Sequence, residues 1–237
     1  MSDQIPDAKV TGDGTVAAGT YGTITLNGAG TITGDVACHE LKVNGAGKCS
    51  GAVKADVITV NGTGTFDGTV QAAEFVVNGT ADVHSSVGAG VLRVKGTLTL
   101  DGGLAAREIE LRGELRSGGD VTAERLFGEG RFKVAGNLEV ADIDLRLQLK
   151  SSANEITCQK MVLRVPEGIT AVFSAFSDRE LQVASVNGGE LELIGTVASV
   201  VKGSRVTLGE GCRVGRVEYT EVLQKLSGAL VTEEVKV

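Results

Sequence analysis

The chain has 237 residues, 23 Lys plus Arg against 30 Asp plus Glu, and a formal charge of -7. That balance excludes the basic face of an ordinary nucleic-acid binder. A hydrophobic content of 42% excludes disorder, and 34 glycines without a three-residue period exclude collagen.

The first residues, Met1-Ser2-Asp3-Gln4-Ile5-Pro6-Asp7, have neither a basic n-region nor an apolar h-region. They are read as a polar tail over 1–15, not a secretory signal. No stretch reaches the ~18 apolar residues of a membrane span. Four cysteines without a CxxC pair make no disulfide framework, so the expectation is a cytoplasmic protein with reduced thiols.

From residue 16 the chain repeats. Gly28, Gly45, Gly62, Gly79, Gly96, Gly113 and Gly130 fall 17 apart, the first four each preceded by Asn. A second file, Gly34, Gly51, Gly68, Ser85, Gly102, Gly119 and Gly136, keeps the same period. Apolar residues lock to it: Ile24, Leu41, Ile58, Phe75, Leu92, Ile109 and Leu126 form one file, and Val36, Val53, Val70, Val87, Leu104, Val121 and Leu138 another. Ile32, Cys49, Phe66, Val83 and Leu100 form a third.

Within one period the inward positions alternate, which is the strand signature. Corner glycines are expected to supply positive φ, helped by the Asn before them. One extra residue at the third corner makes the repeat 17 rather than 16. The fold expected over 16–140 is all-β: a triangular parallel β-helix, or β-solenoid, with 17-residue coils. Right-handed crossovers are favoured.

The pattern loosens after about residue 126. Ser117 and Gly128 fall in inward slots, and Leu147 stands where a corner Gly belongs. Alternation continues in Leu145–Leu149, Met161–Val165, Leu191–Leu193 and Arg205–Leu208, so 141–220 is expected to continue the solenoid coaxially with less regular coils. Pro166 and Phe173–Phe176 are expected to mark a protruding loop. Residues 221–237 are expected to form a short amphipathic helix or a tail.

At Gly30-Thr-Ile-Thr-Gly-Asp-Val36, Asn44 to Val53 and Gly118-Gly-Asp-Val-Thr-Ala-Glu124 the chain resembles the bactofilins, bacterial polymer-forming cytoskeletal proteins. The likeness is strong over about 22–140 and returns weakly over 206–219. It implies nucleotide-independent self-assembly, cytoplasmic or at the inner face of the membrane. It also implies partners among second copies of the chain, a paralogous bactofilin, and membrane-associated or flagellar proteins, with roles in motility or flagellar assembly. Some bactofilins carry an apolar N-terminal membrane-targeting peptide; the first residues here are acidic and polar, so direct membrane binding through them is not expected.

The residues suggest no enzyme and no cofactor, metal or nucleotide site; there is no GxxxxGK[ST] phosphate loop. His39 and His84 differ in register, and Cys38 and Cys49 sit in inward files. Cys158 and Cys212 lack partners at ligand spacing. Asp35 and Asp120 lie at corners, and Glu110, Glu114 and Glu139 point outward. The Thr23/Thr25, Thr31/Thr33 and Thr97/Thr99 pairs are read as sharing no file.

Solenoid ends leave unpaired N–H and C=O groups, a template for another chain. The expected polymer contacts are Val16, Tyr21, Ile24 and Leu26 at one end and Val206, Leu208, Val214, Val217 and Tyr219 at the other. Two alternatives stay open: a β-helical scaffold that does not polymerise, and a carbohydrate-binding β-helix. The latter would use an aromatic-lined groove, yet the chain has six Phe, two Tyr and no Trp.

Overall fold

Alternate side chains of a strand share a face, and burial follows that rule along most of this chain. The computed structural model describes residues 5–164 and 179–237. The loop expected around Pro166 and Phe173–Phe176 lies outside them. The fold is a parallel β-solenoid, 75% strand, with no helix among the described residues. The chain divides into two compact units, Met1–Gly119 and Asp120–Val237.

The first unit holds β1 (Ala8–Val10), β2 (Gly14–Leu26), β3 (Ala29–Val43), β4 (Ala46–Cys49), β5 (Val53–Val60) and β6 (Thr63–Phe66). There follow β7 (Val70–Val77), β8 (Thr80–Val83), β9 (Val87–Val94), β10 (Thr97–Leu100), β11 (Leu104–Leu111) and β12 (Glu114–Ser117). Leu41 pairs with Ile58, Ile58 with Phe75, Phe75 with Leu92, and Leu92 with Ile109, each 17 residues on. The first coil is one residue shorter: Gly14 faces Gly30, and the register reaches 17 after an irregularity between Ala17 and Gly19.

Each coil has three faces. In the coil from Val53, residues 53 and 55 face inward, then 58 and 60 after an outward pair at the third corner, then 64 and 66. The Phe66 and Phe75 rings meet edge to face at 6.1 Å between centroids and 77°. Phe66 fits because Gly64 beside it has no side chain: a Cβ there would lie 2.9 Å from the ring. Ser117 does occupy an inward slot. Its hydroxyl lies 3.0 and 3.1 Å from the carbonyl oxygens of Gly102 and Gly119, and donating its one proton to either satisfies it in place.

Of the two corner files only Gly34 takes the expected positive φ, +93°; the other corner glycines work differently. None of Gly45, Gly62, Gly79, Gly96 and Gly113 has positive φ. A Cβ on Gly62 would instead collide with the carbonyl oxygen of Gly45 one coil away, and the same collision recurs from Gly79 to Gly113. Backbones stack too closely at this corner for any side chain. The preceding Asn residues bond to one another across coils. Asn44, Asn61 and Asn78 each donate from Nδ2 to the Oδ1 of the Asn one coil before, all at 2.8 Å, forming an amide ladder with Asn27.

The second unit holds β13 (Val121–Val134), β14 (Leu138–Leu147), β15 (Ser151–Thr157), β16 (Lys160–Arg164), β17 (Leu181–Leu193), β18 (Thr196–Leu208), β19 (Arg213–Lys225) and β20 (Leu230–Lys236). Its coils vary in length. The offset is 17 from Val121 to Leu138, 18 from Asp142 to Lys160, and 15 from Leu181 to Thr196. It is 16 from Val197 to Arg213, becoming 17 past an irregularity between Gly203 and Arg205, and 17 again from Arg213 to Leu230.

Leu147 is fully buried and pairs with Gly130, so a large side chain follows an absent one in the same file. Both expected tails are corrected. β1 pairs with Ile24–Leu26, and residues 221–237 are mostly strand rather than helix, with β20 stacked on Arg213–Tyr219. Strand pairing continues there although no residue of 221–237 is buried.

Candidate assembly surfaces

A strand's outer backbone edge is satisfied only by another strand or by water. At the start of the first unit, β1 covers Ile24 and Leu26, which are fully buried. Pro6 O accepts from Gly22 N at 2.9 Å, and Asp7 Oδ1 accepts from Thr23 N at 2.7 Å, fastening this short strand. Val16 is also buried, and Tyr21 is half-buried with its hydroxyl donating to Ala17 O at 3.0 Å. The terminal ladder is therefore not Ile24 and Leu26. Among the described residues the uncovered edge comprises β1 and the first half of β2.

At the end of the second unit the expected ladder is one coil too deep. Val222–Lys225 stack on Arg205–Leu208, and β20 stacks on the first part of β19. Val206, Leu208, Val214 and Val217 are buried beneath them, and Tyr219, opposite Lys236, is half-buried. The sequence signal failed because Thr232-Glu233-Glu234 does not read as a strand of an apolar repeat. The last coil nevertheless exposes Val222 (52%), Leu226 (47%), Leu230 (65%) and Val237 (70%). These are four of the six large hydrophobic side chains exposed among the described residues.

The remaining chemistry is structural. Asp35 Oδ1 accepts from Ala52 N, and Asp120 Oδ1 from Asn137 N, both at 2.8 Å, so each carboxylate ties its corner to the next coil. Glu110 pairs with Arg93 and Arg112, and Glu114 with Arg116; Glu139 is exposed. His39 Nδ1 lies 2.8 Å from Asp56, and His84 Nδ1 3.1 Å from Asp67, on the surface. Hydrogen bonds from Lys48 and then His84 hold the Asp67 carboxyl below its usual range.

All four cysteines are free and buried. Burial pushes the thiols of Cys49 and Cys158 up to about 12 and that of Cys38 to about 11, the opposite of a reactive thiolate. Of the threonines expected to share no file, Thr31 and Thr99 do share one, four coils apart, and Thr97 pairs in register with Thr80 and Thr63. Between Thr31 and Thr99 their file runs Lys48, Thr65 and Asp82, so no uniform array results. Among the described residues no three His, Cys, Asp or Glu side chains gather to hold a metal.

Close-stacked glycine corners, an amide ladder and coils that keep a 17-residue offset from Gly19 onward mark the first unit as a solenoid of one particular kind. Residues 6–104 match the bactofilin family, described as polymer-forming cytoskeletal. These residues are a bactofilin domain. The bactofilin match ends within the first unit, at Leu104, where β11 begins. A 53-residue stretch is 40% identical to the uncharacterized protein YhbE of Bacillus subtilis (strain 168). That match spans 22% of this chain and 22% of the relative's own length. No solved structure gives a significant match.

Proposed function

We propose that this bactofilin-domain chain is a non-enzymatic structural protein that joins copies of itself end to end into filaments without nucleotide. The observation that carries the reading is the last coil of the second unit. It combines an outer strand edge with no partner among the described residues and four exposed large hydrophobic side chains. Surfaces of that kind on a folded chain mark interaction sites. The polymer-forming description of the matched family points the same way.

On this reading the filament lies in the cytoplasm or against the inner face of the membrane and scaffolds envelope or motility machinery. A paralogous bactofilin and flagellar proteins are the partners to seek. Negative-stain microscopy and sedimentation of the purified chain, without nucleotide and with a chelator, test the core of the proposal. Filaments in the pellet are expected; monodisperse short particles at all concentrations would overturn it.

A further inference from the structure

Every Asn of the amide ladder is followed by Gly: Asn27-Gly28, Asn44-Gly45, Asn61-Gly62 and Asn78-Gly79. At such a step, with no side chain on the second residue, the backbone nitrogen most readily attacks the Asn side chain. Ring closure needs a Gly N–H and an Asn amide that are both free to move. A further step, Asn187-Gly188, lies inside β17, where pairing with Thr157 on one side and with Lys202 and Gly203 on the other holds the backbone extended.

Three ladder steps are locked at both atoms. Gly45 N donates to Leu26 O at 3.3 Å, Gly62 N to Val43 O at 3.2 Å, and Gly79 N to Val60 O at 3.1 Å. The Nδ2 groups of Asn44, Asn61 and Asn78 each donate to the preceding Asn. Asn27 heads the ladder and differs. Its Oδ1 accepts from Asn44, but neither its Nδ2 nor Gly28 N has an acceptor among the described residues. Val10 pairs with Leu26, so Thr11 stands where the preceding coil would need an Asn.

We infer that Asn27 is a spontaneous deamidation site, and that the ladder shields the Asn-Gly steps behind it. Gly28 N bonds to Asn27 Cγ, the Cγ–Nδ2 bond breaks, and Nδ2 leaves as ammonia with the proton from Gly28 N. Water then opens the cyclic imide at either carbonyl, giving aspartate or isoaspartate. The isoaspartyl product routes the main chain through Cβ and lengthens the corner by one carbon. The corner has no room for it. A Cβ on Gly28 would already lie 2.3 Å from Gly12 O, and one on Gly45 2.4 Å from Gly28 O. The weaker neighbour yields: β1 pairs only with Ile24–Leu26, whereas β3 pairs with β2 from Gly14 to Leu26. Isoaspartate at 27 therefore loosens β1, the cover over Ile24 and Leu26.

The full-length chain is aged in heavy-oxygen water at mildly alkaline pH, and peptide mass spectrometry reads label at each Asn. Asn27 should convert at least about tenfold faster than Asn44, Asn61 or Asn78, since two hydrogen bonds fewer must break before ring closure. In urea the four rates should converge. Equal rates in the folded chain, or the same order in urea, overturn the assignment. Asn44→Ala, checked for an unchanged melting transition, removes the acceptor of Asn61 Nδ2. It should speed conversion at Asn61 and leave Asn78 unchanged; an Asn61 as slow as before overturns the shielding.

Hydrogen exchange tests the structural consequence. The isoaspartyl fraction, identified by isoaspartyl methyltransferase labelling, should exchange faster across β1 than the Asn27→Asp chain, which carries the same charge on an ordinary backbone. Equal protection of the two overturns the loosening of β1.

Discussion

Gly62 sits over Gly45 so closely that the Gly45 carbonyl oxygen occupies the space a Cβ on Gly62 would need. The contact is backbone against backbone, so no rotamer change relieves it. Gly62→Ala should cost about 1–3 kcal/mol, as overpacking does, and lower the denaturant midpoint. Gly88 is the control: its nearest outside atom to an added Cβ is Gln71 Cγ at 4.0 Å, and its φ is not positive. Gly88→Ala should be neutral or stabilising by about 0.4–1 kcal/mol. Equal losses in the two variants would sink the stacking explanation.

The amide ladder makes a different prediction. Asn61 both donates to Asn44 and accepts from Asn78. Asn61→Ala removes both bonds from an exposed corner, and a net loss of about 1 kcal/mol is expected. Asn61→Asp keeps the acceptor but cannot donate, and it sets a carboxylate against the Asn44 carbonyl. It should be no better than Ala in urea unfolding, although it is nearly isosteric.

Phe75 is fully buried against Phe66. Phe75→Ala should cost about 3–5 kcal/mol through lost transfer energy and the cavity left behind. Phe75→Leu, matching Leu41 and Leu92 elsewhere in the file, should lose much less. Chemical denaturation with tracking of the unfolding slope checks both.

The cysteines set an alkaline limit. Burial raises the folded-state thiols from 9.0 to about 11 for Cys38 and about 12 for Cys49 and Cys158. Their contribution to stability is fully present below the unfolded value of 9.0. It is lost as pH rises from there through about 11 to 12, because only the unfolded chain releases the proton early. Stability should therefore fall above pH 9. Native protein at pH 9.5 should show little thiolate absorbance and alkylate slowly, whereas unfolded protein does both readily.

Charge placement on the last coil separates core from contact. Val217 is fully buried under Glu234, so Val217→Arg should unfold that part of the chain. Leu230 is 65% exposed, so Leu230→Arg should fold normally and fail to pellet. A folded Leu230→Arg chain that forms wild-type filaments would move the contact away from this coil.

The inward files of the first unit were legible because one constant spacing aligned five independent sets of residues. The reason for the corner glycines was not, since positive φ and close approach both select Gly. The short coils of the second unit left a readable trace. Val186 and Val201, Gly188 and Gly203, and Leu191 and Val206 are all 15 apart, a period hidden by searching for 17. The C-terminal end was misplaced by one coil because Lys225, Glu233 and Glu234 break the apolar pattern while keeping its backbone register. At the N-terminal end Ile24 and Leu26 were misplaced because the three-residue β1 is too short to read as a coil.

Constant coil length also has a kinetic consequence. A strand of the first unit that pairs one whole coil out of place keeps nearly all its backbone hydrogen bonds, so the backbone scarcely distinguishes the error. Side-chain volume does. Gly47, Gly64, Ala81 and Leu98 succeed one another in one inward file, while Cys49, Phe66, Val83 and Leu100 fill its neighbour. A slip of seventeen residues would bring the Phe66 ring out of register with the gap that receives it and with Phe75. The Phe66–Phe75 ring pair is therefore expected to disfavour a coil-length slip that the backbone alone would tolerate.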